Sequence, residues 1–410
     1  MTTRIRQRQK QPGVGTAGAQ TTAQRAAVVL QMTSAVYVCF ALILMLSSSP
    51  VISTAEYGSS LALFERQIVW TILGGVAFLL AKRVDLGKVR RISPVLMVVV
   101  IFSLVLVYVA GKSSGGSSRW IGISFLHFQP TEFAKLIFAI FAADFVATRE
   151  GTRHAVAQII FPLGVVFAIS AFLIVSQPDL GSTVMVTLIF FVILLGSGID
   201  RYIFTRTVLL ISGVGVLLSL SASYRRQRLL SFISPVAHEA TSGYQLAQSL
   251  FALGSGHLTG TGFGASSATW GFLPNAQTDF IFAVIGNQYG YIGALLVMIG
   301  FVVIGVCGMK IAMRTADRFS SLLALALTTW IVGQAIINIG GVISVMPETG
   351  IPLPFLSYGG SSLIAILCAV GLLVNIANHS RTKTSTNTGL QHRFDDVAGL
   401  FFHAAPSTGR

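Results

Sequence analysis

Charge is what this sequence has least of. Charged residues make up 10% of the 410 positions against 53% apolar, and mean hydropathy is +0.76. Soluble domains carry about 25% charged residues, so the chain cannot clothe a water-soluble globule of its size. A soluble enzyme, a disordered regulator and a secreted disulfide scaffold are excluded. Cysteine is nearly absent: Cys39, Cys307 and Cys368 all lie in apolar runs, where they act as small hydrophobes, and structural disulfides are not expected. Acids are half as numerous as bases, 14 Asp and Glu against 28 Lys and Arg. The sequence also lacks HExxH, paired CxxC and GxxxxGK[ST] motifs, which removes metalloprotease and P-loop readings.

What remains is a polytopic all-α membrane protein. A hydrocarbon core of about 30 Å needs roughly 20 apolar helical residues. About ten transmembrane helices are expected, near 27–47, 67–81, 93–110, 130–147, 155–175, 181–197, 205–222, 280–309, 319–341 and 360–377. The net charge of +14 does not point to nucleic acid, because the bases cluster at span ends. Arg4, Arg6, Arg8, Lys10 and Arg25 precede the first span, and Lys82, Arg83, Lys88, Arg90 and Arg91 fill one short connection. The positive-inside rule then places both termini in the cytoplasm. Residues 1–26, polar and basic around Pro12, read as a disordered cytoplasmic tail rather than a signal peptide. Residues 27–378 form the membrane domain and 379–410 a second cytoplasmic tail. Outside lie 111–129, a large loop before the eighth span (223–279), and 342–359. Arg225, Arg226 and Arg228 form a basic cluster on the outer side, where long loops escape the charge rule.

The few acids and intramembrane charges are the candidates for chemistry. Asp279 closes the large loop in Leu273-Pro274-Asn275-Ala276-Gln277-Thr278-Asp279-Phe280. A carboxylate at a membrane boundary beside aromatics can serve as a general base, but Asp also caps helices well; position alone favours the cap. Glu132 and Lys135 stand three apart on one helix face, which allows an ion pair, and charges within spans line a cavity or pair with each other. Asp144, deeper in that span, reads first as an internal hydrogen-bonding residue. Arg119, Lys112 and the 225–228 arginines could hold a pyrophosphate through guanidinium or ammonium contacts, with lipid headgroup contact the plainer reading. His127, His238 and His257 are too scattered to argue a metal site.

Taken in order, several motifs resemble the SEDS family (shape, elongation, division and sporulation) of bacterial cell-wall proteins. They are Arg119-Trp120, Gln129-Pro130-Thr131-Glu132 with Lys135, and Gln177-Pro178-Asp179-Leu180-Gly181. Gly243-Tyr244-Gln245 with Gln248-Ser249, the 273–282 segment, and Pro347 through Ser362 complete the set. The match covers about residues 30 to 378. Ser47-Ser48-Ser49 followed by Phe64-Glu65-Arg66-Gln67 resembles the FtsW branch more than the RodA branch. Two departures stand out: Gln277 replaces a usual His, and Gly286-Asn287-Gln288-Tyr289-Gly290 replaces Gly-Glu-Glu-x-Gly. The lost acids alter the electrostatics beside Asp279.

The resemblance implies a peptidoglycan glycosyltransferase that polymerises lipid II into glycan strands on the outer face of the bacterial plasma membrane, in cell division. It makes Asp279 the catalytic base, reversing the preference for a cap. Arg119, Lys135, Glu132, Asp179, Gln245, Gln248 and Ser357 become substrate-binding candidates. No resident cofactor or metal site is implied, with a divalent cation left open. The implied partners are lipid II, a class B penicillin-binding protein (a transpeptidase), and other division or elongation membrane proteins. Two readings of other classes stay open: a lipid-linked sugar flippase using the charged fourth span, and a division scaffold with degenerate catalysis.

Overall fold

A computed structural model describes residues 14–110, 112–114, 117–123, 126–149, 156–221, 232 and 243–379. Among the described residues, each of the ten expected spans coincides with a helix. These are α1 (Val14–Ser48), α3 (Ala62–Arg83), α4 (Leu86–Ala110), α5 (Pro130–Ala147), α6 (Phe161–Ser176), α7 (Leu180–Ser197), α8 (Arg201–Ser221), α10 (Ile281–Arg314), α11 (Arg318–Val342) and α12 (Gly360–His379). Among the described residues, eight of them are long and apolar enough to cross a membrane; α5, with Glu132, Lys135 and Asp144, and α8 are the other two. Two short helices, α2 (Pro50–Tyr57) and α9 (Tyr244–Ser255), lie in connections. The chain is thus an all-α polytopic membrane protein with one small exception. Strands β1 (Lys112–Ser114), β2 (Ser117–Ile123) and β3 (Leu126–Phe128) form an antiparallel sheet where the sequence suggested only a glycine-serine connection. Trp120, Ile121 and Ile123, aromatic and β-branched, suit a strand. Helix α1 also begins inside the stretch read as a tail, carried by Ala and Gln, which favour helix.

Helices α11 and α12 are buried nearly all round and form the centre, while α3, α4 and α6 turn apolar side chains such as Ile72, Phe102 and Phe172 outward. Outward apolar faces of this kind are what lipid contact demands. Helix α12 packs against α3 through small residues. A Cβ at Gly371 would come within 2.6 Å of the Phe78 carbonyl, and one at Gly74 within 2.6 Å of Leu367; such close backbone approach is how membrane helices gain packing. Asn375 of α12 donates to the Ala81 and Val84 carbonyls at 2.9 and 2.7 Å, satisfying the end of α3. Arg90 of α4 pairs with Asp144 at 2.5 Å, joined by Ser93. Asp144 therefore holds α5 to α4.

Helix α10 is not continuous. Gly290 has φ +67° and ψ −167°, a conformation open essentially to glycine alone. The break frees backbone groups, which cannot be left unpaired in a membrane-buried position. Loop 256–262 fills the break: Thr261 and Gly262 N–H donate to the Asn287 and Gln288 carbonyls at 2.9 and 3.1 Å. In return, Tyr291 and Ile292 N–H donate to His257 and Leu258. A Cβ at Gly260 would collide with the Gln288 carbonyl, and one at Gly290 with Leu258 and Gly260. The glycine-rich stretch after α9 is thus a plug for a broken helix.

Candidate functional site

The site begins with the run of turns that leads into α10. Asp279 lies in a turn one residue before the helix N-cap, which is Phe280 and makes no side-chain capping bond. The half-buried Asp279 lines a shallow, narrow cleft with Phe280, Asn338, Glu348, Thr349 and Ile351. Its main chain is pinned in sequence. The Gln277 carbonyl accepts from Tyr358 N–H at 2.8 Å, the Thr278 carbonyl from Ser357 Oγ at 2.6 Å, and the Asp279 carbonyl from Asn338 Nδ2 at 2.8 Å. Ser357 Oγ in turn accepts from Leu353 N–H at 2.7 Å. The resemblance made Ser357 a substrate-binding candidate; the structure places its hydroxyl between two backbone segments. Gln277, in the usual histidine position, donates from Nε2 to the Ser48 carbonyl at 3.0 Å, and Gln288 accepts from Ser47 Oγ at 3.0 Å. The serines ending α1 thus hold two of the departures from the family pattern.

Both clasped segments carry backbone strain. Asn275 has φ +57° and Phe355 φ +66°. Asn visits that region readily, but for a phenylalanine it is an outlier. Phe355 is buried, its ring against Tyr37, so packing enforces the kink that turns Ser357 and Tyr358 toward the 277–279 segment.

Asp179 is the N-cap of α7. Its Oδ1 accepts Ser182 N–H at 3.0 Å, while Oδ2 accepts Thr131 Oγ1 at 3.3 Å and Gln129 Nε2 at 3.4 Å. The short echo Gln129-Pro130-Thr131 and Gln177-Pro178-Asp179 therefore brings two helix starts together. Gly181 beside it leaves room for the turn at 349–351, since a Cβ there would strike Ile351 and lie 2.9 Å from the Thr349 carbonyl.

Glu132 and Lys135 form an ion pair at 2.7 Å with side chains 1% and 0% exposed. Lys135 Nζ also donates to Gln334 Oε1 at 3.1 Å and sits 5.4 Å from the centre of the Trp330 ring. Trp330 Nε1 donates to the same oxygen at 2.8 Å, and Gln334 Nε2 donates to the Pro352 carbonyl at 2.9 Å. Glu132 Oε2 has no hydrogen-bond partner among the described residues. Contacts therefore link Asp279, Asn338, Ile351, Gly181, Asp179, Thr131, Glu132, Lys135, Gln334 and Pro352 in one chain that passes through the α11 face carrying Gln334 and Asn338.

Other candidates sit apart from that chain of contacts. Gln245 and Gln248 lie half-buried on α9, which is tied to the end of α11 by Ser249 donating to the Val342 carbonyl at 3.0 Å. Arg119 lies on β2, its side chain outside the described residues, as are Arg225, Arg226, Arg228, His238 and the two tails beyond 14 and 379. Among the described residues no three His, Cys, Asp or Glu side chains gather as a metal-ligand set; the cleft offers the carboxylates of Asp279 and Glu348.

Sequence reading missed Gln334, Asn338, Trp330 and Arg66. The carboxamides stood in an apolar span, and a polar side chain four residues from another on one face is the signal that could have found them. Arg66 stacks on Tyr57, its guanidinium carbon 4.0 Å from the ring centre, and acts electrostatically on the Tyr358 phenol. Burial raises the Tyr358 phenol above its ordinary range, opposed by the Arg66 guanidinium, so the phenol stays protonated at neutral pH.

Comparison with known proteins follows the same elements. The family model for cell cycle proteins of the FtsW, RodA and SpoVE type matches residues 27–382. The probable peptidoglycan glycosyltransferase FtsW of Mycobacterium tuberculosis is 38% identical over 340 residues, 82% of this chain and 65% of that protein. The chain thus spans about two thirds of the length of that relative. Stage V sporulation protein E of Bacillus subtilis is 40% identical over 346 residues, 83% of this chain and 93% of that protein. A solved structure described as "Structural coordination of polymerization and crosslinking by a peptidoglycan synthase complex" shares the fold, with a TM-score of 0.71 at 22% identity, over 86% of this chain and 97% of that one. The chain is a multi-pass membrane protein belonging to the FtsW, RodA and SpoVE family of cell cycle proteins.

Proposed function

We propose that this chain is a peptidoglycan glycosyltransferase that polymerises lipid II, with Asp279 as the general base. The observation that carries the reading is the clamp on 277–279. Three successive carbonyls are held by three donors, so a carboxylate on an irregular segment is presented at a cleft in a fixed place. A general base must lie within hydrogen-bond reach of its proton, and fixed presentation supplies that. In the reaction, a sugar hydroxyl oxygen bonds to the anomeric carbon of a lipid-linked sugar as the bond from that carbon to the pyrophosphate oxygen breaks. Asp279 takes the hydroxyl proton, and the electron pair leaves with the lipid pyrophosphate. Arg66, Arg119 and the 225–228 arginines are the cations suited to the departing charge. Lys135 acts differently: sealed against Glu132, Gln334 and Trp330, it shapes the site's frame. That burial also speaks against a transport path along α5, as the flippase reading requires.

On this reading the end of the bundle carrying Asp279 faces outside, both termini are cytoplasmic, and ten helices span the membrane. Arg90, Arg149, Arg201, Lys310 and Arg314 at the opposite helix ends support that orientation. The partner is a class B penicillin-binding protein whose transpeptidase cross-links the emerging strand, and the setting is the division septum. The test is glycan synthesis from purified lipid II by this chain with its transpeptidase. Asp279→Asn keeps the shape but cannot accept the proton, so it should lose the 10²–10⁴-fold typical of general-base catalysis. Polymerisation within a few-fold of the parent would leave Asp279 without that role and favour the scaffold reading.

A further inference from the structure

We propose that Asn338 is a positioning residue for Asp279, fixing the carboxylate's place by clamping its main chain to the irregular 351–352 segment. The inference rests on the glycosyltransferase reading of the cleft. Asn338 stands on α11, 5% exposed, and Nδ2 uses both its hydrogens, on the Asp279 and Ile351 carbonyls, each at 2.8 Å. The amide's orientation follows from these partners, since the flipped form would set Oδ1 against two carbonyl oxygens. Oδ1 has no partner among the described residues. A buried acceptor left unpaired is unfavourable, so this amide is poorly explained by stability alone and well explained by its two donors.

One turn earlier on the same face, Gln334 repeats the arrangement, donating to the adjacent carbonyl of Pro352 and accepting from Lys135 and Trp330. Residues four apart on a helix are neighbours. The two carboxamides thus hold two consecutive carbonyls of one irregular segment, with the Lys135 ion pair at one end and Asp279 at the other. Asp279 has irregular backbone on its N-terminal side, and Ser357 and Tyr358, which hold the preceding Thr278 and Gln277 carbonyls, come from a loop. Asn338 is the anchor that belongs to a buried helix, and it sets Asp279 against the rigid frame. A misplacement of about 1 Å at a reacting group is enough to cost on the order of 10²-fold in rate.

The experiment measures kcat and KM for lipid II polymerisation by the full chain with its transpeptidase, in the parent, Asn338→Ala, Asp279→Asn and the double variant. Asn338→Ala should lower kcat about 10²-fold with KM changed less than about threefold, because substrate binding is not what it supports. In the Asp279→Asn background the same change should add almost nothing, since there is no base left to position. If Asn338→Ala does not fold, Asn338→Ser, which keeps one donor, must show an intermediate loss of kcat. Parental kcat in a folded Ala or Ser variant, or full additivity with Asp279→Asn, overturns the positioning role while the parent still polymerises. A parent that makes no glycan overturns the underlying reading, and this one with it.

Discussion

Removing one member of the Glu132–Lys135 pair is the sharpest physical test of the site's frame. Lys135→Met keeps the volume and deletes the ammonium. Glu132, 1% exposed, then loses its partner at 2.7 Å and has no hydrogen-bond partner left for Oε2 among the described residues. Gln334 Oε1 fares better, because Trp330 Nε1 still donates to it at 2.8 Å. The cost is therefore dominated by one uncompensated buried carboxylate, about 3–5 kcal/mol for breaking a buried pair from one side. Replacing both partners by apolar residues, Glu132→Leu with Lys135→Met, removes the orphan and should return stability to within about 1–2 kcal/mol of the parent. The assay is unfolding of the purified chain in detergent, compared across the four members of the cycle. A Lys135→Met variant within about 1 kcal/mol of the parent would refute the buried-pair argument. Polymerisation measured on the stable double variant then separates a stabilising role from a catalytic one.

Gly290→Ala forces a side chain into a glycine-only conformation and against the Leu258 and Gly260 backbone; the conformation alone should cost about 1–3 kcal/mol, read as a lowered melting temperature. Asp179→Asn keeps an N-cap residue of nearly equal quality, so it should destabilise by less than about 1.5 kcal/mol and slow polymerisation far less than Asp279→Asn does. A reporter active only outside the cytoplasm should be silent when fused after Thr382 and active when inserted near Ser242; the opposite pattern would invert the proposed orientation.

Composition and hydropathy were enough to show that the chain lives in a membrane and which ten stretches are helical, because lipid leaves a polytopic chain no other way to satisfy its backbone. The scarcity of acids made Asp279, Asp179 and Glu132 conspicuous for the same reason: a charge among apolar residues must have a partner or a task. Spacing also made the Glu132–Lys135 pair legible, since three residues apart on a helix is a contact. What the sequence could not express was which distant segments meet. That Ser357, Tyr358 and Asn338 hold carbonyls up to 81 positions away is decided by the kink at Phe355 and by the face α11 turns inward. The plug of loop 256–262 in the break at Gly290 was equally hidden, because a glycine-rich stretch looks the same whether it flexes in water or fits against another backbone. Hydropathy depends on each residue's own transfer from water, and so it can be read along the chain. Hydrogen-bond partnership depends on two residues at once, and only the packed bundle fixes the second.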